Sequence, residues 1–197
     1  MEILSVSSNI AKSEIVINKS RFLGFVTHVE SVEDAQHFLD SIRSEYKDAR
    51  HICFAYRLKN TSKASDDGEP SGTAGKPILQ IIEKQNLFDT IIVVVRYFGG
   101  IKLGAGGLLR AYSNCATDCL SNTQKEIFYS SILYKISLEY KDYQTFLNKI
   151  KNRFIEVLES DFDNGANLTI VARDDEIISD AIQLGKIMHS YKNKEST

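Results

Sequence analysis

The sequence predicts an α/β protein of the α+β kind, built as two domains over residues 1–122 and 127–191. Three observations predict it. Short β-branched or aromatic runs alternate with amphipathic stretches along the chain; the run Ile91-Ile92-Val93-Val94-Val95 is apolar without interruption; and the polar residues 121–126 separate two sets of apolar periodicity. With 43% hydrophobic residues in a chain of 197, there is enough apolar surface for one large or two small cores.

Taken in order, residues 14–18 and 22–29 are strand-like runs split by the polar Lys19-Ser20-Arg21, which predicts an opening hairpin. Ser31 with Asp34 three positions on makes a capping-box-like helix start. Ala35, Phe38, Leu39 and Ile42 follow at helical spacing to about Tyr46. Ile52, Phe54, Tyr56 and Leu58 alternate as a half-buried strand does. Residues 60–76 are polar and rich in Gly, Ser and Asp, a loop too long for a routine connection. Pro77 in a first turn, followed by Ile78, Leu79, Ile81 and Ile82, predicts a helix ending near Asn86. The run 91–95 then reads as a central strand buried on both faces. Leu108, Leu109, Tyr112, Cys115, Ala116 and Cys119 place a long helix after the glycines, to about Leu120. In the second domain residues 127–140 read as a strand and 143–153 as a helix. Residues 155–162 and 168–172 read as strands around the turn Asp163-Asn164-Gly165, and Ile177, Ile178, Ala181, Ile182 and Leu184 as a last helix. The order β-α-β-β-α is a ferredoxin-like plait lacking its last strand.

Composition excludes several classes of function. Lys and Arg number 24 against 26 Asp and Glu, a formal charge of −2, so there is no general basic excess of the kind that drives non-specific nucleic-acid binding. The residues up to Lys125 carry 15 basic and 14 acidic side chains and the remainder 9 and 12, so neither half is a basic module, although a local basic stripe fits within those totals. Cys53, Cys115 and Cys119 form an odd set with no C-x-x-C pair; they read as buried thiols in a reducing compartment. No secretory pattern opens the chain and no run approaches the ~20 apolar residues that span a bilayer, so a cytoplasmic location without membrane partners is expected.

Two glycine-rich segments carry the candidate chemistry. The first is Ser65-Asp66-Asp67-Gly68-Glu69-Pro70-Ser71-Gly72-Thr73-Ala74-Gly75-Lys76-Pro77. Its acids suit a hard divalent cation and its glycines let N–H groups turn toward an anion. It is not a Walker loop, because Pro70 and Pro77 occupy the first glycine and closing Ser/Thr positions, and it lacks the alternating ligands of an EF-hand. The second is Arg96-Tyr97-Phe98-Gly99-Gly100-Ile101-Lys102-Leu103-Gly104-Ala105-Gly106-Gly107-Leu108-Leu109-Arg110. A strand that runs through glycines into a helix start presents free N–H groups and a positive dipole end, with Arg96, Lys102 and Arg110 to add charge. A dinucleotide fingerprint would need a third glycine where Leu109 stands. Close packing is the competing account of these glycines.

The candidate site residues are therefore Arg96, Gly99, Gly100, Lys102, Gly104, Gly106, Gly107 and Arg110 for an anion or ligand. His51, Ser65, Asp66, Asp67, Glu69, Ser71, Thr73 and Lys76 form a second loop of the same site. His51 with Asp66, Asp67 and Glu69 reads either as an acid/base group or as structural; Ser71 lacks the nucleophile-elbow context. Tyr97, Phe98 and Tyr112 either stack on bases or pack. No catalytic set, resident metal or other cofactor follows, a divalent cation on the acidic loop being the one candidate.

At Asp48-Ala49-Arg50-His51 and at both glycine-rich segments the sequence resembles the YigZ/IMPACT family. The likeness is strong over residues 20–120 and one of layout beyond. It implies an N-terminal domain with the ribosomal-protein-like fold of elongation factor G domain IV and a C-terminal plait like that factor's domain V. It also implies an association with translation, the eukaryotic members binding a partner that activates a translation-initiation kinase. Bacterial members usually close the plait with a strand after the last helix, whereas here residues 187–191 run directly into the tail 192–197, which predicts an unpaired sheet edge. The reading is a regulator that binds RNA, the ribosome or a translation-related protein through the glycine-rich site. The alternative is a phosphate- or nucleotide-binding enzyme with a metal on the acidic loop. The oligomeric state is open.

Overall fold

The computed structural model describes residues 2–176, 178–179 and 181–191. The chain falls into two compact units, one spanning Leu4–Glu126 and one that runs on from Ile127 and includes residues 2–3. No helix among the described residues is long and apolar enough to cross a membrane.

The first unit begins within β1 (Glu2–Val6), a strand the sequence reading missed, and continues through the hairpin β2 (Ala11–Ile17) and β3 (Ser20–His28). Asn18 and Lys19 turn the hairpin in the left-handed region, at φ 47° and 65°, so Ser20 and Arg21 lie in β3 rather than in the connection. Helix α1 (Val32–Glu45) starts where expected, with the Ser31 hydroxyl accepting from the Asp34 N–H. After β4 (His51–Arg57) the polar stretch is not all loop, because Ser62–Ser65 forms an edge strand, β5, against β4. Helix α2 (Gly75–Lys84), strand β6 (Thr90–Tyr97) and helix α3 (Gly104–Ser121) complete the unit.

The sheet order is β2-β3-β6-β4-β5, every neighbouring pair antiparallel. β6 is central, which accounts for its unbroken apolar run. Ile92 and Val94 join Phe22, Val26, Cys53 and Ala55 beneath α2 and α3, while Ile91, Val93 and Val95 pack with Phe25, Phe54 and the α1 side chains Ala35, Leu39 and Ile42. A strand with helices on both sides has no solvated face and so no polar alternation.

The second unit holds β7 (Lys125–Leu138), α4 (Tyr140–Ile150), β8 (Ile155–Asp161), β9 (Ala166–Arg173) and β10 (Ile182–His189). β10 corrects two expectations. Ile182 and Leu184 belong to a strand rather than a helix, and the closing strand that seemed absent pairs antiparallel with Tyr129 to Lys135 of β7. The sheet therefore reads β10-β7-β9-β8, with β1 also alongside β7. Ile178, Ala181 and Ile182 fit a helical period, but Ile182 and Leu184 fit a strand period equally, and Gly185 weighs against a helix. The backbone groups along the β7 edge decide between the two by taking a ladder partner. Ile187 then packs with Tyr129, Val171 and Tyr191 on one face, while Ile136, Ile150, Leu168 and Ile170 make the core beneath α4 on the other. Ile177 and the tail 192–197 lie outside the described residues.

Candidate functional site

The ladder that buries β6 also sets the frame of the site. Arg96, near the end of β6, pairs with Phe22 on β3 and with His51 on β4. By strand alternation these three stand on the α2/α3 face, just beyond the apolar row of Ile92 and Val94. Arg96 is buried, and its Nη1 donates to Glu69 Oε1 at 2.6 Å. The Tyr112 hydroxyl from α3 donates to the same oxygen at 2.8 Å. The Cys53 thiol lies 3.3 Å from that hydroxyl and 3.0 Å from the Asp66 carbonyl oxygen. A buried ion pair holds only when its remaining lone pairs are answered; here Tyr112 answers one and draws the acidic loop onto the sheet. Burial, with the nearby Glu69 carboxylate adding to it, pushes the Tyr112 hydroxyl up, so it stays a donor. Burial likewise pushes the thiols of Cys53, Cys115 and Cys119 to about 12, so none is a ready nucleophile.

The acidic loop is structural to a degree its composition conceals. Asp66 accepts from the N–H groups of Gly72 (2.7 Å), Ala74 and Gly75 (both 2.9 Å). Burial alone would raise this carboxyl, and the three backbone donors outweigh it and hold it below its ordinary value. Asp67 accepts from the Ile52 N–H at 2.7 Å, and its carbonyl accepts from His51 Nδ1 at 2.8 Å. Ser65 lies in β5 and its hydroxyl accepts from the Asp67 N–H; the Thr73 hydroxyl donates to the Pro70 carbonyl. Ser71 and Lys76 are exposed. Each of the three carboxylates already serves protein donors, and the described residues contain no cluster of His, Cys, Asp and Glu able to hold a metal. The cation proposed for this loop is thus not supported by its donor set.

The glycine segment is different. Gly99 passes so close to the hairpin turn that a Cβ there would overlap the Lys19 carbonyl, and its N–H donates to the Ser20 hydroxyl at 3.1 Å. Gly104 enters α3 at φ +70° and Gly100 turns at φ +85°, conformations that favour glycine. Leu103 at the N-cap contributes no side-chain bond. No side chain therefore caps the first N–H groups of α3, at the positive end of the helix dipole.

Residues of both segments line one cleft of about 420 Å³: Glu69, Arg96, Lys102 and Gly104 among those singled out, joined by His51 from β4. Arg50, Phe98 and Ala105 line it as well. Gly99 and Gly100 shape the turn without lining the cleft; Gly106, Gly107 and Arg110 lie farther along α3. Ser65, Asp66, Asp67, Ser71, Thr73 and Lys76 stand behind or beside the lining. Two roles escaped the sequence reading. Arg50 was visible only as the neighbour of His51. The Tyr112 hydroxyl was hidden by a helical core pattern, although a buried tyrosine needs a partner for its O–H. Neither Arg50 nor Lys102 has an ion-pair partner among the described residues, and both are exposed.

All of these residues fall within the stretch 18–120 that matches the model of the Impact N-terminal domain. The chain belongs to the IMPACT family. The IMPACT family member YvyE of Bacillus subtilis is 45% identical over 152 residues, covering 76% of this chain and 67% of its own. A family member from Haemophilus influenzae is 36% identical over 170 residues, 82% of each chain, and YigZ of Escherichia coli is 44% identical over 53% of each. A crystal structure of a protein described only as hypothetical superposes with a TM-score of 0.64 at 31% identity, covering 87% of this chain and 85% of its own. This IMPACT protein therefore shares a two-domain α+β architecture with a solved structure across most of its length.

Proposed function

We propose that the protein is a translation-associated regulator that binds RNA through the cleft between the acidic loop and the start of α3. The observation that carries this reading is the cation balance of the cleft. Glu69 is neutralised by Arg96, and Arg50 and Lys102 line the cleft with no ion-pair partner among the described residues, beside the start of α3, whose N-cap Leu103 gives no side-chain bond. Donors of this kind suit phosphate oxygens. Phe98, 44% exposed at the rim, offers a face on which a base can stack, and the Arg96 guanidinium 5.6 Å from its centroid supports the ring from behind. The local arrangement also answers the objection from overall charge, since binding draws on the few cations in the cleft rather than on the chain's total.

The family resemblance favours a setting in translation. On this reading the first unit has the ribosomal-protein-like fold and the second, with its β10-β7-β9-β8 order, is a ferredoxin-like plait; these two likenesses are part of the proposal. Titrating short RNAs, with and without terminal phosphates, into the full chain tests it. Affinity should fall with salt between about 50 and 200 mM. Lys102→Ala or Arg50→Ala should weaken binding roughly tenfold or more. Absence of RNA binding, or binding indifferent to both substitutions, defeats the reading.

A further inference from the structure

We infer that His51 is the residue by which the cleft chooses its ligand: its Nε2 accepts a hydrogen bond from a neutral donor of the RNA, a ribose 2′-hydroxyl or a base N–H, next to the base on Phe98. The inference rests on the RNA-binding reading above and adds to it the group that discriminates.

The ring is held before any ligand arrives. His51 opens β4 opposite Arg96 of the central strand, and the acidic loop folds against it. Its Nδ1 lies 2.8 Å from the Asp67 carbonyl oxygen, while the Asp67 carboxylate holds the next residue of the strand by the Ile52 N–H at 2.7 Å. Gly68 lies against the same ring, where a Cβ would stand 3.5 Å from Nδ1 and 3.6 Å from Cε1. One loop residue thus anchors both backbone and ring, so little rotamer freedom is left to lose on binding.

That anchoring decides what the ring offers. A carbonyl oxygen can only accept, so Nδ1 carries a hydrogen and the neutral ring presents a lone pair at Nε2. Nε2 has no hydrogen-bond partner among the described residues and is not sealed from solvent, and the ring lines the cleft together with Phe98.

An acceptor here does what the cations of the cleft cannot. Arg50 and Lys102 only donate, and they answer phosphate oxygens, which every strand carries. A phosphodiester has no hydrogen to give to Nε2. The carboxylates of Asp66 and Asp67, which accept backbone N–H groups in the loop beside His51, also disfavour an anion at that spot. A neutral O–H or N–H suits it. Phe98, exposed at the rim with the Arg96 guanidinium 5.6 Å from its centroid, gives a base a face to stack on. The sugar and the base edge of the stacked nucleotide are then the donors on hand.

The test removes donors from the ligand and the acceptor from the protein. Short single strands of matched sequence are titrated into the full chain as the ribose, 2′-deoxy and 2′-fluoro forms, and with base amines deleted by inosine for guanosine and purine riboside for adenosine. One of the two kinds of deletion should weaken binding roughly tenfold, and which one it is tells sugar from base. His51→Phe keeps a ring without Nε2. It should bind the intact strand only as well as the original protein binds the donor-deleted one, with no further loss on deletion. A melting curve checks that this variant folds, and the ligand series on the unaltered chain stands without it. Binding that ignores every donor deletion overturns the inference and leaves RNA binding standing. A difference that survives His51→Phe overturns the assignment to His51. A loss in His51→Phe that is equal for all strands and vanishes in salt means that the ring meets phosphate as a cation, which also overturns it. No binding of any strand overturns the RNA reading and the inference with it.

Discussion

Helices α2 and α3 lie on the same face of the first sheet, follow glycine-rich segments, and begin in opposite ways. The start of α2 is closed from a distance: Asp66 accepts from the N–H groups of Ala74 and Gly75, and Pro77 has no N–H to satisfy. The start of α3 is left open, with Leu103 giving no cap and cations standing nearby. In the sequence the first segment looks the more reactive because it holds the acids. In the fold those acids are occupied in building a wall, and it is the helix start in the plainer second segment that has no side-chain cap. Density of charged residues is therefore a poor guide to a site. The useful question is which polar groups the protein itself already satisfies.

Removing the partner of the buried arginine should break this contrast most severely. Glu69→Ala strands Arg96 and the Tyr112 hydroxyl and should cost about 4 kcal/mol in denaturant unfolding; a loss under about 1 kcal/mol would mean that the loop is not pinned as described. Next in size, Asp66→Ala reopens the start of α2 and should cost about 3 kcal/mol. The carboxyl lies below its unfolded value of 3.8 when folded, so its contribution is complete above that pH and disappears as pH falls through the lower folded value. Asp66→Asn should accordingly flatten the acid limb of a stability-against-pH curve, and an unchanged limb would contradict the three-donor account. Gly99→Ala forces a methyl group into the Lys19 carbonyl and should cost about 2 kcal/mol, read as a lowered melting temperature. The smallest change in stability is expected for the variant that makes the two helices alike. Leu103→Asp supplies α3 with a cap worth about 1 kcal/mol, roughly offset by the lost apolar contact of Leu103 with the core. Its RNA affinity should nevertheless fall at least about tenfold. Retained affinity would mean that the helix start is not where the anion sits.

Much of the first unit was legible from local patterns. Ser31 and Asp34 announce α1, and the unbroken run at residues 91–95 announces a central strand. Residues of the two glycine-rich segments line one cleft, as their places on either side of one buried strand suggest. Less legible was anything depending on contacts between distant residues. That Asp66 closes a helix eight and nine positions later, that Glu69 meets Arg96, and that the Tyr112 hydroxyl reaches Glu69 are tertiary facts with no local period. The last strand was misread for a related reason: the stretch Ile178 to Leu184 satisfies two periods, and only the open edge of β7 favours one of them.

The central place of β6 constrains the order in which the protein can be made. β3 and β4 are both complete by residue 57, yet neither pairs with the other; each pairs with β6, which spans Thr90–Tyr97. On the ribosome the chain must therefore carry two apolar strands with unmatched backbone edges until the third emerges between them. Wrong pairing is most available in that interval. Helix α1, made between β3 and β4, covers one side of the finished sheet through Ala35, Leu39 and Ile42 and is the first element on hand to shield them.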